Sequence, residues 1–186
     1  MKECILVVSV CKYSFHEFEF VKPIEDILQK QELKFFKRHY QKIKPGDLKK
    51  CSKVIICGTS LRDFEYLGNL HKFEWIKKLN KPVFGICAGM QIILSVLSDY
   101  DLRFYKDEEI GFTNVYFEKP ILGFEQNQRV YSLHQLNIKS VNKTFEVLAR
   151  SNEGIQAIKH KTKEIYGVLF HPEVRQKDFI LNFCNL

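Results

Sequence analysis

Cys87 stands between two glycines in Gly85-Ile86-Cys87-Ala88-Gly89. That is the spacing in which a nucleophile sits alone on a tight turn from a strand into a helix. Such a turn crowds the nucleophile's backbone against its neighbours, and residues without Cβ relieve the crowding most cheaply. The helix start adds unpaired N–H groups and a partial positive charge, both of which favour thiolate over thiol. Moving a thiol pKa from ~8.5 to ~7 corresponds to ~2 kcal/mol. The same N–H groups can later hold an oxyanion, with that of Ala88 nearest. A buried, inert cysteine in the same kind of turn shows the same local pattern, so the elbow alone leaves both readings open.

A base is available further on, in His171-Pro172-Glu173. Proline pushes the preceding histidine into an extended conformation, and alternation would then put His171 and Glu173 on one side. The carboxylate can accept from one ring nitrogen while the other faces a cysteine, which is a base with its orienting group. An incidental histidine and glutamate in a solvated turn is the competing reading of the tripeptide.

The elements that must position these groups alternate between strand-length apolar runs and helical patterns, the signature of βαβ units on a parallel sheet. Residues 4–10 form a continuous β-rich run. Ile24, Ile27 and Leu28 have helical spacing behind Pro23, where a missing N–H costs least. Residues 33–40 read as a second strand, Pro45-Gly46 as a turn, residues 54–57 as a third strand and residues 73–79 as the end of a second helix. Residues 83–86 then lead into a helix over residues 90–97. From Leu102 the pattern changes: residues 103–118 and 129–132 alternate like hairpin strands, residues 147–149, 155–158 and 165–170 continue the strand series, and residues 178–183 suit a closing helix. With no repeat, low-complexity tract or linker, residues 1–186 read as a single domain.

Composition narrows the function. The chain has 186 residues, 45% of them hydrophobic, enough for one sizeable core. Its first residues carry no signal-peptide pattern, and no apolar run approaches the length of a membrane-spanning helix, so the protein is expected to be soluble and cytoplasmic. Six cysteines at wide spacing, with no Cys-x-x-Cys and no zinc-type Cys/His pair, argue for reduced thiols and against a structural metal. The formal charge of +7 is dispersed, and its densest stretch, residues 34–53, lacks a recognition motif. Nucleic acid is therefore not the expected partner, and an acidic protein fits the surplus equally well.

Together the two chemical segments resemble one family, the class I or triad glutamine amidotransferase domains, such as the glutaminase part of GMP synthetase. The family form G-[IV]-C-x-G-x-Q stands here as Gly85-Ile86-Cys87-Ala88-Gly89-Met90-Gln91, and Y-G-V-x-F-H-P-E as Tyr166-Gly167-Val168-Leu169-Phe170-His171-Pro172-Glu173. Weaker echoes are Glu109-Ile110-Gly111-Phe112, the strand from Phe145 to Ser151, and Val130-Tyr131-Ser132-Leu133-His134. The resemblance covers about residues 53 to 183. It implies an α/β fold with a flavodoxin-like open, mostly parallel sheet flanked by helices and a small antiparallel section in the second half. It also implies glutamine hydrolysis through a cysteinyl thioester, with Cys87 as nucleophile, His171 as acid and base and Glu173 as its orienting partner. Ala88 and Thr59 would form the oxyanion hole, and Gly58, Gln91, Ser132, Leu133 and His134 would line the glutamine site. No cofactor is needed. Because the chain carries no ATP-binding P-loop, the ammonia would go to a separate synthase subunit, such as a GMP synthetase-type partner.

Two places depart from the family pattern. The second oxyanion donor usually comes from a G-G-P turn, whereas this chain has Gly58-Thr59-Ser60; threonine disfavours positive φ, and without the proline the turn is expected to be less fixed. Residues 11–20 do not read like the D-x-G-x-Q segment of GMP synthetase, leaving His16 and Glu17 to line a channel mouth or to cap the first helix. Two other functions remain: hydrolysis of another amide such as a γ-glutamyl bond, or a non-catalytic regulatory module that keeps the fold.

Overall fold

Four short runs, Ile5–Ser9 (β1), Lys53–Ile56 (β3), Val83–Ile86 (β4) and Ile165–Val168 (β9), are buried at every position. That is what a parallel strand covered on both faces requires. In the computed structural model, which describes residues 4–98 and 108–186, they lie side by side in the order β1-β3-β4-β9 within one nine-stranded sheet. The β1–β3, β3–β4 and β4–β9 pairs are parallel. At one edge lies Phe35–His39 (β2), half-exposed and parallel to β1, which accounts for the basic stretch there as the wet side of an edge strand.

The second half of the sheet is antiparallel, formed by Glu109–Phe117 (β5), Gln128–His134 (β6), Phe145–Ser151 (β7) and Gly154–His160 (β8). Strand β5 pairs with β6 along its length and with β7 at its C-terminal end, and β8 joins this section to β9. The part of the expected hairpin at residues 103–107 lies outside the described residues.

Helices Glu17–Phe20 (α1), Lys22–Lys30 (α2), Pro45–Lys50 (α3), Trp75–Lys78 (α4), Ala88–Ser98 (α5) and Asp178–Cys184 (α6) flank the sheet. Two apolar clusters form the core. One packs Phe20, Ile24 and Leu28 with Phe84, Phe170, Phe179 and Phe183; the other packs the opposite face beneath Ile92, Ile93 and Leu94 of α5. Lys53, 4% exposed, sends its ammonium to the Cys184 carbonyl at the end of α6, 2.8 Å away, where a cation complements the helix dipole.

Three expectations need correction or refinement. Pro45-Gly46 opens a helix instead of making a turn: Pro45 takes the first helical position, where its missing N–H has no partner to lose, and the Asp47 carboxylate accepts from Lys44 N at 2.9 Å. The helix expected to end within residues 73–79 does end there, in α4, but what precedes it is a 3-10 helix, Glu65–Phe73, interrupted at Asn69. Strand β9 stops at Val168, so His171, Pro172 and Glu173 lie in a turn closed by Val174 N to His171 O at 3.3 Å, not on an extended strand.

Candidate active site

The turn between β4 and α5 places Cys87 at φ 51°, a left-handed conformation unfavourable for a side chain with a Cβ. Three hydrogen bonds hold it there: Cys87 N donates to Val168 O at 2.8 Å, and the Cys87 carbonyl accepts from Met90 N at 3.0 Å and Gln91 N at 3.2 Å. The flanking glycines serve close approach. A Cβ on Gly85 would stand 2.5 Å from the Gly89 carbonyl carbon, and one on Gly89 would stand 2.2 Å from the Ile56 carbonyl oxygen. The glycines let α5 descend onto the ends of β3 and β4, and Ala88 is the first residue of that helix. The sulfur lies 3.7 Å from the Leu133 carbonyl oxygen on β6.

His171 is 1% exposed and fixed from several directions. Its N–H donates to Tyr131 O at 2.8 Å, its Nδ1 lies 2.7 Å from Glu173 Oε1, and its ring packs on Phe20 with centroids 5.5 Å apart. Nε2 makes no hydrogen bond among the described residues and is the nitrogen left for Cys87. Burial would push the imidazolium pKa down, but the charges of Glu173 and Cys87 outweigh it and hold His171 well above its ordinary value. Elsewhere in the core, burial raises the Cys11 thiol to about 11 and lifts those of Cys51 and Cys57 above the ordinary thiol range.

Gly58 closes the third side. A Cβ at this position would come within 2.6 Å of His171 Cε1 and 3.3 Å of Cys87 Cβ, so the backbone of the Gly58-Thr59-Ser60 turn lies directly on both groups. Thr59 Oγ1 donates to Asp63 Oδ2 at 2.7 Å, and the Lys12 N–H reaches the same oxygen at 2.7 Å. Ser60 Oγ pairs with His16 Nδ1 at 3.1 Å, and the His16 ring in turn packs on Phe15 and Tyr13. The turn is thus held by side chains where a proline would have held it. His16 does occupy the N-cap position of α1, but its ring makes no cap bond and turns to Ser60 instead.

Thr59, Ala88, Gln91, Leu133 and His134 line one cleft with Cys87. Gln91 is tied on both sides of its amide: the Tyr66 hydroxyl donates to its Oε1, and its Nε2 donates to Leu136 O at 3.4 Å. Burial, with the charges of Cys87 and Asp63, raises the Tyr66 phenol well above its ordinary value. Beside the cleft, His134 Nε2 lies 3.2 Å from Glu109 Oε2, and that oxygen accepts a hydrogen bond from Gln156 Nε2 at 2.8 Å. Burial would raise the Glu109 carboxyl, yet the His134 contact and charge leave it below the usual carboxylate range. Ser132 is fully buried, two register steps from this pair on β6. Asp63, Tyr66 and the side-chain role of Glu109 are absent from the sequence reading. The signal for the first two was an acid and an aromatic following the altered turn at short spacing, in Asp63-Phe64-Glu65-Tyr66.

A cysteine strained onto a helix start, a carboxylate-held histidine and a doubly wound sheet delimit a class of protein, and its family model fits. The glutamine amidotransferase class-I model matches residues 19–183, and the chain belongs to that family. Among curated proteins, it is similar to one subunit of the glutamine-hydrolysing GMP synthase of Methanocaldococcus jannaschii, 36% identical over 113 residues that cover 56% of this chain and 60% of the relative. The corresponding subunit of Saccharolobus solfataricus is 35% identical over 139 residues, covering 71% of this chain and 72% of the relative. In the first two such relatives the match spans only 60% and 55% of their length. Solved structures share the fold. A Thermoplasma acidophilum protein provisionally named as a GMP synthase subunit superposes with a TM-score of 0.87 at 23% identity over 100% of this chain and 94% of that one. A Thermotoga maritima glutamine amidotransferase does so at 0.74 and 20%, over 100% and 84%. Among the described residues, no helix is long and apolar enough to cross a membrane.

Proposed function

We propose that this chain hydrolyses glutamine to glutamate and ammonia through a thioester on Cys87. The observation that carries the reading is the buried His171–Glu173 contact of 2.7 Å, which leaves Nε2 unbonded beside a cysteine strained onto the start of α5. The Cys87 thiolate attacks the side-chain amide carbon of glutamine, and the oxyanion that forms is held by the N–H groups of Ala88 and Thr59. His171 Nε2–H protonates the amide nitrogen, the C–N bond breaks and ammonia departs. The neutral imidazole then takes a proton from water, hydroxide adds to the thioester, the C–S bond breaks, and glutamate leaves with the thiolate restored. Glu173 keeps the ring oriented and offsets its charge throughout. Gly58, Gln91 and the segment Ser132–His134 form the wall on which glutamine lies.

The likeness to these GMP synthase subunits supports a further reading, that the ammonia passes to a separate synthase polypeptide of the GMP synthetase type. The single continuous sheet supports residues 1–186 as one amidotransferase domain, and the free cysteines agree with a reducing, cytoplasmic compartment. The test is covalent. A glutamine analogue carrying an electrophilic side-chain ketone is expected to add one equivalent of mass, on Cys87 alone, and Cys87→Ser is expected to remain unlabelled. Wild-type protein that stays unmodified, or that releases ammonia from γ-glutamyl peptides but not from glutamine, would reject the reading.

A further inference from the structure

The turn that departs from the family pattern gathers several of its contacts on the carboxylate of Asp63. Asp63 is 5% exposed, and its Oδ2 accepts from both the Thr59 hydroxyl and the Lys12 N–H at 2.7 Å. Oδ1 lies 3.4 Å from Glu65 N, and the Asp63 N–H returns to Ser60 O at 3.0 Å. One side chain therefore joins the turn after β3, the segment after β1 and the start of the following 3-10 helix. The same turn rests through Gly58 against His171 and Cys87. Thr59 N–H donates to no partner among the described residues.

From this geometry we infer that Asp63 is a positioning residue for glutamine hydrolysis: it holds the Thr59 N–H where the oxyanion develops, replacing the backbone constraint that a proline would supply. The inference rests on the thioester reading above. Asp63 touches no reacting atom. It acts through Thr59, whose hydroxyl is committed to the carboxylate and whose main-chain N–H is thereby set in direction. Charge matters as well as shape. Asp63→Asn keeps one oxygen for two donors, but as a weaker neutral acceptor, and turns an amide N–H₂ towards the Glu65 N–H.

The consequence is confined to the step that develops negative charge on oxygen. Loss of one oxyanion donor typically lowers kcat by about 10²–10³-fold; a misdirected donor in Asp63→Asn is expected to lower it by at least ~30-fold with KM within ~3-fold. Alkylation of Cys87 by iodoacetamide forms no oxyanion and depends only on the thiolate and its histidine, so its rate in Asp63→Asn should stay within ~3-fold of wild type. A second variant tests the same contact without altering the acid: the isosteric Thr59→Val, which removes the hydroxyl and keeps the main-chain N–H, should lose kcat as Asp63→Asn does, again with the iodoacetamide rate within ~3-fold of wild type. Full glutaminase activity in folded Asp63→Asn and Thr59→Val overturns the role of Asp63. So does a fall in alkylation parallel to kcat, which marks collapse of the site. A wild type that is alkylated at Cys87 yet releases no ammonia from glutamine overturns the thioester reading itself, and this inference with it.

Discussion

Replacing Gly58 with alanine inserts one methyl group into the narrowest point of the site. Built on the existing backbone, that Cβ would lie 2.6 Å from His171 Cε1. An ordinary carbon–carbon contact is about 3.5 Å, so ring and turn must separate by roughly 0.9 Å. The ring cannot yield cheaply, because Nδ1 is held at 2.7 Å by Glu173 and the main chain is bonded to Tyr131 O at 2.8 Å. If the turn yields instead, the Thr59 N–H moves with it. A displacement of about 1 Å at a reacting group can cost about 10²-fold in rate, equivalent to ~2.7 kcal/mol of barrier. Gly58→Ala is therefore expected to lower kcat for glutamine by ~10²-fold, and overpacking should cost ~1–3 kcal/mol of stability. Steady-state ammonia release gives the first number and urea denaturation the second. Gly46→Ala is the control, since a Cβ there meets nothing within 4 Å. A folded Gly58→Ala protein with kcat within ~3-fold of wild type would refute the reasoning, because the methyl group would then have been absorbed without moving either catalytic element.

Glu173→Gln should move the alkaline limb of the kcat–pH profile to lower pH, because the Glu173 charge helps to hold His171 above its ordinary value and, in the proposed mechanism, the imidazolium donates the proton to the departing nitrogen. Stability follows the same sign. A histidine raised on folding stabilises fully below its unfolded pKa of about 6.5 and loses that contribution as pH rises through the folded value, so the difference in Tm between wild type and Glu173→Gln should narrow on going from pH 6 upward. A limb that stays in place would separate the carboxylate from the proton donor. Tyr66→Phe leaves the buried Gln91 Oε1 without its donor and is expected to cost ~1–3 kcal/mol in denaturant unfolding. It should also raise KM for glutamine, with the iodoacetamide reactivity of Cys87 unchanged; an unaltered KM would remove Gln91 from the substrate wall.

The first half of the fold is legible in the sequence because burial there is an all-or-none property of each run. Strands β1, β3, β4 and β9 are apolar end to end and covered on both faces, and such runs have no other stable place in a chain of this size. The antiparallel half is less legible. Strand β5 alternates visibly, but nothing local says that it stands between β6 and β7, since β5 meets β7 through only two residue pairs near Tyr116 and Phe117. Pro45-Gly46 misleads for a local reason: the same dipeptide suits a turn and the first positions of a helix, and the choice is made by Asp47, two residues on, accepting from the Lys44 N–H.

At the site, the tripeptide His171-Pro172-Glu173 is readable although it lies in a turn beyond the end of β9 and not along the strand. Residues two apart can bring Nδ1 and Oε1 together across a turn as well as along a strand, so the pairing survives an error in the backbone path. The Gly58-Thr59-Ser60 turn is the opposite case. A missing proline is visible in the sequence as a lost constraint, whereas the groups that replace it come from far away: the Lys12 N–H is 51 positions from Asp63, and His16 is 44 from Ser60. A backbone constraint is local and can be read in a motif; a hydrogen-bonded one exists only after β1 and β3 have paired. The altered turn is therefore no evidence for a dead site. With Asp63 in the positioning role inferred above, control of the oxyanion position moves from a ring in the chain to a carboxylate that a single substitution can remove.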